Sequence, residues 1–392
     1  MNRIITSKIK HWYDHNDESI LCICGGHGVG KTWVAREFCR EYDKDYIYIS
    51  VKNTKEEDIE DTISCSAVFL IIDDINDKIL YDKARRIVLK IRSDMALSDY
   101  KVIFIGTEYL ANKIGQNDNG YMTLLHMTPL NLCEFSMALK SKWNEKEYFN
   151  MTERDIFNIY LMVGGMPECV ELFLENGDFT SVRCRQCEIL SNICYKLSGN
   201  VDVIKTKEWQ IINAIFIQEI TASAGFSLRQ VNKSARNREY KESIERLCGA
   251  GIIYRLNRMD NRTSNRIKDY KLYVLDVGLA GAVAAIDERS IMDNDIVWNQ
   301  YKGYLLKNFI IQEYYSYYYG AGWELRYWHK ARAKARLPFV FVNLWTDCIW
   351  VIDIENMWRK SIASFVAEYL DANRQNMTIQ EITERALEHN IL

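Results

Sequence analysis

Proline is scarce, with three in 392 residues. Each proline fixes φ and removes a backbone donor, so their near absence suits a helix-rich chain with few rigid linkers. A surplus of charge is lacking too. Lys+Arg number 50 against 53 Asp+Glu, a formal −3, so a globally basic surface is excluded and any polyanion contact must be local. No apolar run is long enough to cross a bilayer. The strongest, Ala67 to Ile72, stops at Asp73, and the stretch from Leu272 to Ile286 is short and carries Asp276. A secretory leader is missing, because Lys8, Lys10, Asp14, Asp17 and Glu18 interrupt the N-terminus before any apolar segment. The 11 cysteines are odd in number and scattered, which with the missing leader favours reduced thiols and a cytoplasmic location. Cys184-x-x-Cys187 with Cys194 has no fourth ligand at zinc spacing and reads as helix, so packing is expected of it. With 48% hydrophobic and 26% charged residues, wholesale disorder is excluded, and the length suggests about two to three domains.

What is there separates into four stretches. Residues 1–150 alternate short apolar runs (Leu21–Cys24, Tyr46–Val51, Ala67–Ile72 and Lys101–Ile105) with amphipathic segments, the signature of an α/β fold around a parallel sheet. Residues 151–204 have helical periodicity, broken at Gly164-Gly165 with Pro167 behind. Residues 205–290 read as a helix with the stripe Ile211, Ile212, Ile215 and Phe216, a short helix capped by Ser227, a helix over Arg238–Cys248, and two strands, Ile252–Leu256 and Tyr270–Leu275. Three helices and a hairpin predict a winged helix. Residues 291–392 open with an aromatic helix, then give strands and a further helix from Lys360, a small α/β unit. The aromatics between Trp298 and Tyr319 fall at helical spacing and are expected in a core or a subunit interface.

The chemistry concentrates in Gly25-Gly26-His27-Gly28-Val29-Gly30-Lys31-Thr32, which satisfies G-x-x-x-x-G-K-[ST] between a strand and a helix. Glycines let backbone amides turn inward on a phosphate, the helix N-terminus adds positive potential, Lys31 neutralises β/γ oxygens, and Thr32 offers a hydroxyl to Mg²⁺. ATP and Mg²⁺ are the expected cofactors. The run Val68–Ile72 then delivers Asp73 at a strand end, where it can hold the Mg²⁺ water shell. Asp74 stands where a glutamate usually polarises the attacking water and is one methylene shorter, so slow hydrolysis is expected. Thr107, after strand Lys101–Ile105 and Gly106, is the candidate sensor of the γ-phosphate.

These motifs resemble a prokaryotic family of AAA-like ATPases with a C-terminal restriction-endonuclease-like domain. The resemblance extends through Leu70–Asn76, Thr128–Phe135, Val163–Glu168, Lys271–Leu279 and Gly303–Phe309, in the family's order. It implies an ATPase core over 1–150, a helical lid over 151–204, a winged helix over 205–290 and a PD-(D/E)XK-type domain over 291–392. The chain departs from the family in two places. No arginine occurs from Lys113 through Pro129, where a candidate arginine finger is frequent. The nuclease motif is degenerate: Pro338 replaces a metal-binding aspartate and Met357 a lysine, leaving Glu355 with Asp353 nearby. One carboxylate does not fix a hard cation, so no nuclease activity is expected.

Charge clusters locally between Arg229 and Lys271, where Arg238, Lys241, Arg262 and Arg266 are candidate DNA or RNA contacts on the third helix and the wing. A second basic run, Arg326 to Arg336, interleaves Tyr327 and Trp328 as candidate stacking surfaces. Three readings stay open: a slow ATPase acting as a nucleotide-controlled switch on nucleic acid or a protein partner, a nucleotide-gated protein scaffold of a defence or mobile-element system that does not bind nucleic acid, and an ATP-driven nuclease. A homo-oligomer is compatible with each.

Overall fold

A computed structural model describes residues 3–15, 20–42, 44–55, 68–93, 100–117, 121–142, 151–220, 225–231, 236–259, 270–287, 289–290, 296–319, 323–329, 336–343 and 349–351. They fall into two compact units, one of Met1–Leu130 with Glu245–Ile252, the other of Asn131–Ile244 with Ile253–Leu392.

The first unit runs α1 (Ile4–His15), β1 (Ile20–Gly25), α2 (Lys31–Glu41), β2 (Tyr46–Ser50), β3 (Phe69–Ile75), α3 (Lys78–Ser93), β4 (Lys101–Gly106), α4 (Glu108–Asn117) and β5 (Met122–Met127). Its five strands lie in the order β2-β3-β4-β1-β5 and every pairing is parallel. Strands buried on both faces need no polar alternation, which is why β1, β3 and β4 read as unbroken apolar runs. One side of the sheet packs Cys22, Leu70 and Phe104 against Ile87 and Ile91 of α3 and Leu110 of α4. The topology places β4 between β1 and β3, so the C-terminal ends of all three lie side by side, where ligands bind in open α/β sheets. This is the α/β, P-loop NTPase sheet that the sequence predicts.

The second unit holds α5 (Leu132–Lys142), α6 (Glu153–Val163), α7 (Pro167–Asn176), α8 (Phe179–Ser198), α9 (Lys207–Ile220), most of α10 (Asn237–Gly249), β6 (Ile253–Arg258), β7 (Tyr270–Val274), α11 (Val277–Val283), α12 (Ile296–Tyr318), β8 (Trp323–His329), β9 (Arg336–Asn343) and β10 (Ile349–Val351). The helix–short helix–helix–hairpin run is present, with Ser227 capping the short turn Leu228–Gln230. Strand β6 also pairs in parallel with β8, so this hairpin and the last strands form one sheet, β10-β9-β8-β6-β7.

The stretches carrying the family resemblance meet here as a buried polar network. Asp276 caps α11 by accepting from the Leu279 amide, and its other oxygen accepts from Gly165 N at 2.6 Å and Gln312 Nε2 at 3.2 Å. Gly164, at φ 71°, permits the approach: a Cβ there would lie 2.2 Å from Asp276 Oδ1. Asn308 brackets Val274 with a bond to its amide and one from its own amide group to the carbonyl. Glu134 accepts from Asn131 N, and Glu313 from Leu132 N at the start of α5.

Two expectations are corrected. Tyr327 and Trp328 are 1% and 8% exposed, and Arg326 pairs with Glu324, so these aromatics are core rather than stacking surfaces. Both are buried although adjacent on β8, against the simple alternation of a strand with one solvent-facing side. Cys184 and Cys187 are exposed on α8 while Cys194 alone of the three is buried, so packing explains only the last. No helix among the described residues is long and apolar enough to cross a membrane.

Candidate functional site

The phosphate loop begins where β1 ends. Gly25, Gly28 and Gly30 all have positive φ, at 150°, 79° and 94°, values that L side chains rarely adopt. At Gly25 a Cβ would also fall 2.0 Å from the Met127 carbonyl oxygen at the end of β5. Gly30 is the left-handed N-cap of α2 and has no side chain to cap it, so the first amides of the helix turn into the loop unscreened by a side-chain acceptor. Lys31 Nζ donates to the Gly25 and Gly26 carbonyls at 3.0 and 2.7 Å. Burial lowers the Lys31 ammonium from its ordinary value, opposed chiefly by the charge of Asp73.

Asp73 lies at the other side of the mouth. Its Oδ2 accepts from Thr32 Oγ1 at 2.6 Å and from the Tyr48 hydroxyl at 3.0 Å, while Oδ1 accepts from the Asp74 amide at 2.6 Å. The Arg36 guanidinium stacks 3.9 Å from the Tyr48 ring centre. Burial first, then the charge of Asp73, pushes the Tyr48 hydroxyl well above its usual range, so it stays a donor. A hydroxyl and a carboxylate converging from α2 and β3 form a hard-oxygen pair of the kind that holds Mg²⁺ partly through water, so the residues present fit that ion.

Asp74 has φ 68°, which costs a non-glycine residue roughly 1 kcal/mol or more. It falls in the register shift between Ile72 and Ile75, and its Oδ2 accepts from Ser50 Oγ at 2.5 Å. The carboxylate is thus held toward the end of β2. Thr107 follows β4, is 2% exposed, and its hydroxyl has no partner among the described residues. The next residue, Glu108, bonds His126 of β5.

Every phosphate-loop residue expected from sequence therefore lies on one loop, with Asp73, Asp74 and Thr107 on the adjoining strand ends. His27 is half-buried on the loop and Val29 fully buried. Arg238 and Lys241 lie elsewhere, exposed on α10; Arg262, Arg266, Asp353, Glu355 and Met357 are outside the described residues. Sequence reasoning missed Tyr48, Ser50, Arg36 and the Glu108–His126 pair. The first two alternate on β2 two residues apart, a same-face polar pair at a strand end that would have marked them.

Residues 17–136 match the AAA domain family, and residues 154–290 match a domain of unknown function (DUF8612). No curated protein matches the chain by sequence. Among solved structures, the chain is similar to a Walker-type ATPase of Pyrococcus abyssi at 15% identity and a TM-score of 0.47, covering 71% of this chain and 94% of that one. It is also similar to DnaA of Aquifex aeolicus bound to AMPPCP, at 14% identity, TM-score 0.34 and coverage of 61% and 85%. For the RuvB Holliday junction branch migration motor of Thermotoga maritima the values are 14%, 0.34, 66% and 90%. Residues 17–136 thus combine a match to the AAA domain family with the parallel strand order and phosphate loop of a P-loop NTPase fold.

Proposed function

We propose that this chain binds ATP with Mg²⁺, hydrolyses it slowly, and uses its nucleotide state to set how the rest of the chain engages a partner. The observation that supports this reading is the convergence of Lys31, Thr32 and Asp73 at one sheet edge, around a loop of positive-φ glycines and an uncapped helix N-terminus. Loop amides and Lys31 bind the β- and γ-phosphates. Thr32 and Asp73 would hold Mg²⁺, which when bound neutralises and orients the phosphate oxygens. Asp74 orients a water in line with the γ-phosphorus and takes its proton, and the Thr107 hydroxyl donates to a γ-oxygen.

Three features keep turnover slow. Asp74 is shorter than a glutamate, Ser50 draws it toward β2, and no arginine lies between Lys113 and Pro129 to stabilise charge in the transition state. The purified chain should turn over at roughly 10⁻⁴ to 10⁻² per second, like unassisted small GTPases. The direct test is thermal stabilisation by Mg·ATP, about 2.7 kcal/mol near 100 Kd in the wild type and absent in Lys31→Ala. Equal shifts in both proteins would defeat the reading.

The partner is a nucleic acid or a protein, and one observation favours the protein. On α10 the basic Arg238, Lys241 and Arg246 alternate with Glu239, Glu242 and Glu245, a balanced surface that gives a phosphate backbone little net attraction. The C-terminal segment is proposed to cut nothing. Pro338 sits in β9 beside the register shift with β8, where a missing amide is tolerated, and it offers no side-chain oxygen to a metal.

A further inference from the structure

We propose that Arg3 is a positioning residue that holds the phosphate loop in its anion-binding shape; this rests on the ATP-binding reading above. Arg3 precedes α1 and accepts at its carbonyl from Thr6 N, so the first turn of α1 fixes its backbone. Ile5, Ile9 and Trp12 bury the inner face of that helix in the first unit. The Arg3 side chain is itself buried, at 8% exposure. Its guanidinium donates to the Val29 carbonyl at 3.1 Å and to the Thr128 carbonyl at 2.6 Å.

These two acceptors make the fork informative. Val29 is inside the loop, and Thr128 directly follows β5. Gly25, at the start of the loop, already lies against the Met127 carbonyl of the same strand end. The loop is thereby fastened near both of its ends to one fixed point, by backbone contact at Gly25 and by Arg3 at Val29. In a trans peptide the carbonyl of one residue and the amide of the next point in opposite directions. Drawing the Val29 carbonyl outward onto Arg3 therefore turns the Gly30 amide inward, toward the position of the β-phosphate. The planar fork reaches the two carbonyls from two separate nitrogens in fixed geometry, whereas a lysine would have to bring one ammonium within reach of both.

Since the β-phosphate is common to ADP and ATP, losing Arg3 should weaken both by the same factor. The expected loss in Arg3→Ala is about tenfold to a hundredfold, the range for a hydrogen bond from a charged group, with Arg3→Lys between it and wild type. KM for ATP should rise by that factor and kcat move far less. Binding of ADP and of ATP is measured by calorimetry below the melting temperature of each variant, with Lys31→Ala alongside. Wild-type affinity for both nucleotides in a folded Arg3→Ala protein would overturn the assignment, as would an unchanged KM with a fallen kcat. If Arg3→Ala does not fold, Arg3→Lys decides, and wild-type affinity in it overturns the proposal. A wild-type chain that binds neither nucleotide would instead overturn the ATP reading itself.

Discussion

Two sets of carboxylates, one in each unit, make opposite use of the same chemistry. Asp73, buried, and Asp74, half-buried, stand near the C-terminal end of β3, held chiefly by side-chain hydroxyls of Thr32, Tyr48 and Ser50 that can exchange partners, with the Asp74 amide as one further donor to Asp73. Asp276 and Glu313 are buried and bind backbone amides of Gly165, Leu279 and Leu132, groups that cannot leave. Burial drives Asp276 up to about 6 and Glu313 up to about 8, and the amide bonds only partly oppose it. The difference teaches how to separate a site from a keystone among buried acids. Where the partners are chiefly backbone amides the group supports the fold; where they are chiefly side-chain hydroxyls beside an uncapped helix end, the group is set for a ligand.

The sharpest way to break this contrast is to remove one acid from each set. Asp276→Ala leaves the Gly165 and Leu279 amides without their acceptor in a buried place and removes one of the bonds of Gln312. It should lose about 3–5 kcal/mol of stability by urea unfolding, while Asp73→Ala loses about 1 kcal/mol and all Mg²⁺-dependent hydrolysis. Similar losses of stability in the two variants would erase the distinction.

A smaller effect follows from protonation. The folded-state value of Glu313 lies above its ordinary 4.5, so its contribution to stability is complete below that pH and is lost as pH rises toward about 8. Asp276 acts in the same direction between its ordinary 3.8 and about 6. Stability should therefore fall with rising pH across this window, with a slope of at most about 1.4 kcal/mol per pH unit for each group. Glu313→Gln keeps a carbonyl for the Leu132 amide and should flatten the slope above pH 6, measured as unfolding free energy against pH. An unchanged slope would show that Glu313 is ionised in the folded protein.

The smallest expected change is at the phosphate-loop site. Ser50→Ala removes the hydroxyl that draws Asp74 toward β2, and ATP turnover should rise about threefold to tenfold, worth roughly 0.7–1.4 kcal/mol in the barrier. A slower variant would mean that Ser50 places Asp74 productively rather than restraining it.

The phosphate-loop site was far more legible in the sequence than the Asp276 network, for a physical reason. A phosphate loop is local: its glycines, lysine and hydroxyl are consecutive, and a buried parallel strand announces its end at Asp73 by ceasing to be apolar. What completes that site is not local. Ser50 and Tyr48 reach Asp73 and Asp74 only through the β2–β3 pairing, and Arg3 reaches Val29 only once β5 is in place. β5 itself escaped notice because Met122–Met127 has mostly half-buried positions and few β-branched residues. The bond between Gly165 and Asp276 joins residues 111 apart, and no periodicity encodes it. Tyr327 and Trp328 are neighbours on β8 yet both buried, which an argument from alternation does not anticipate.

The order β2-β3-β4-β1-β5 also has a consequence in time. Among the described strands the one that carries the phosphate loop comes first in chain order, yet its partners there are β4 and β5, Leu21 meeting Ile103 and Thr123. Until those later strands exist, β1 has no edge to join, and a six-residue segment buried throughout in the finished sheet must wait in water. Non-local pairing of this kind slows folding and leaves apolar surface open to other chains. The phosphate loop is thus synthesised before the strands its own strand depends on, and it is assembled only after β4 and β5, up to Met127, have followed it.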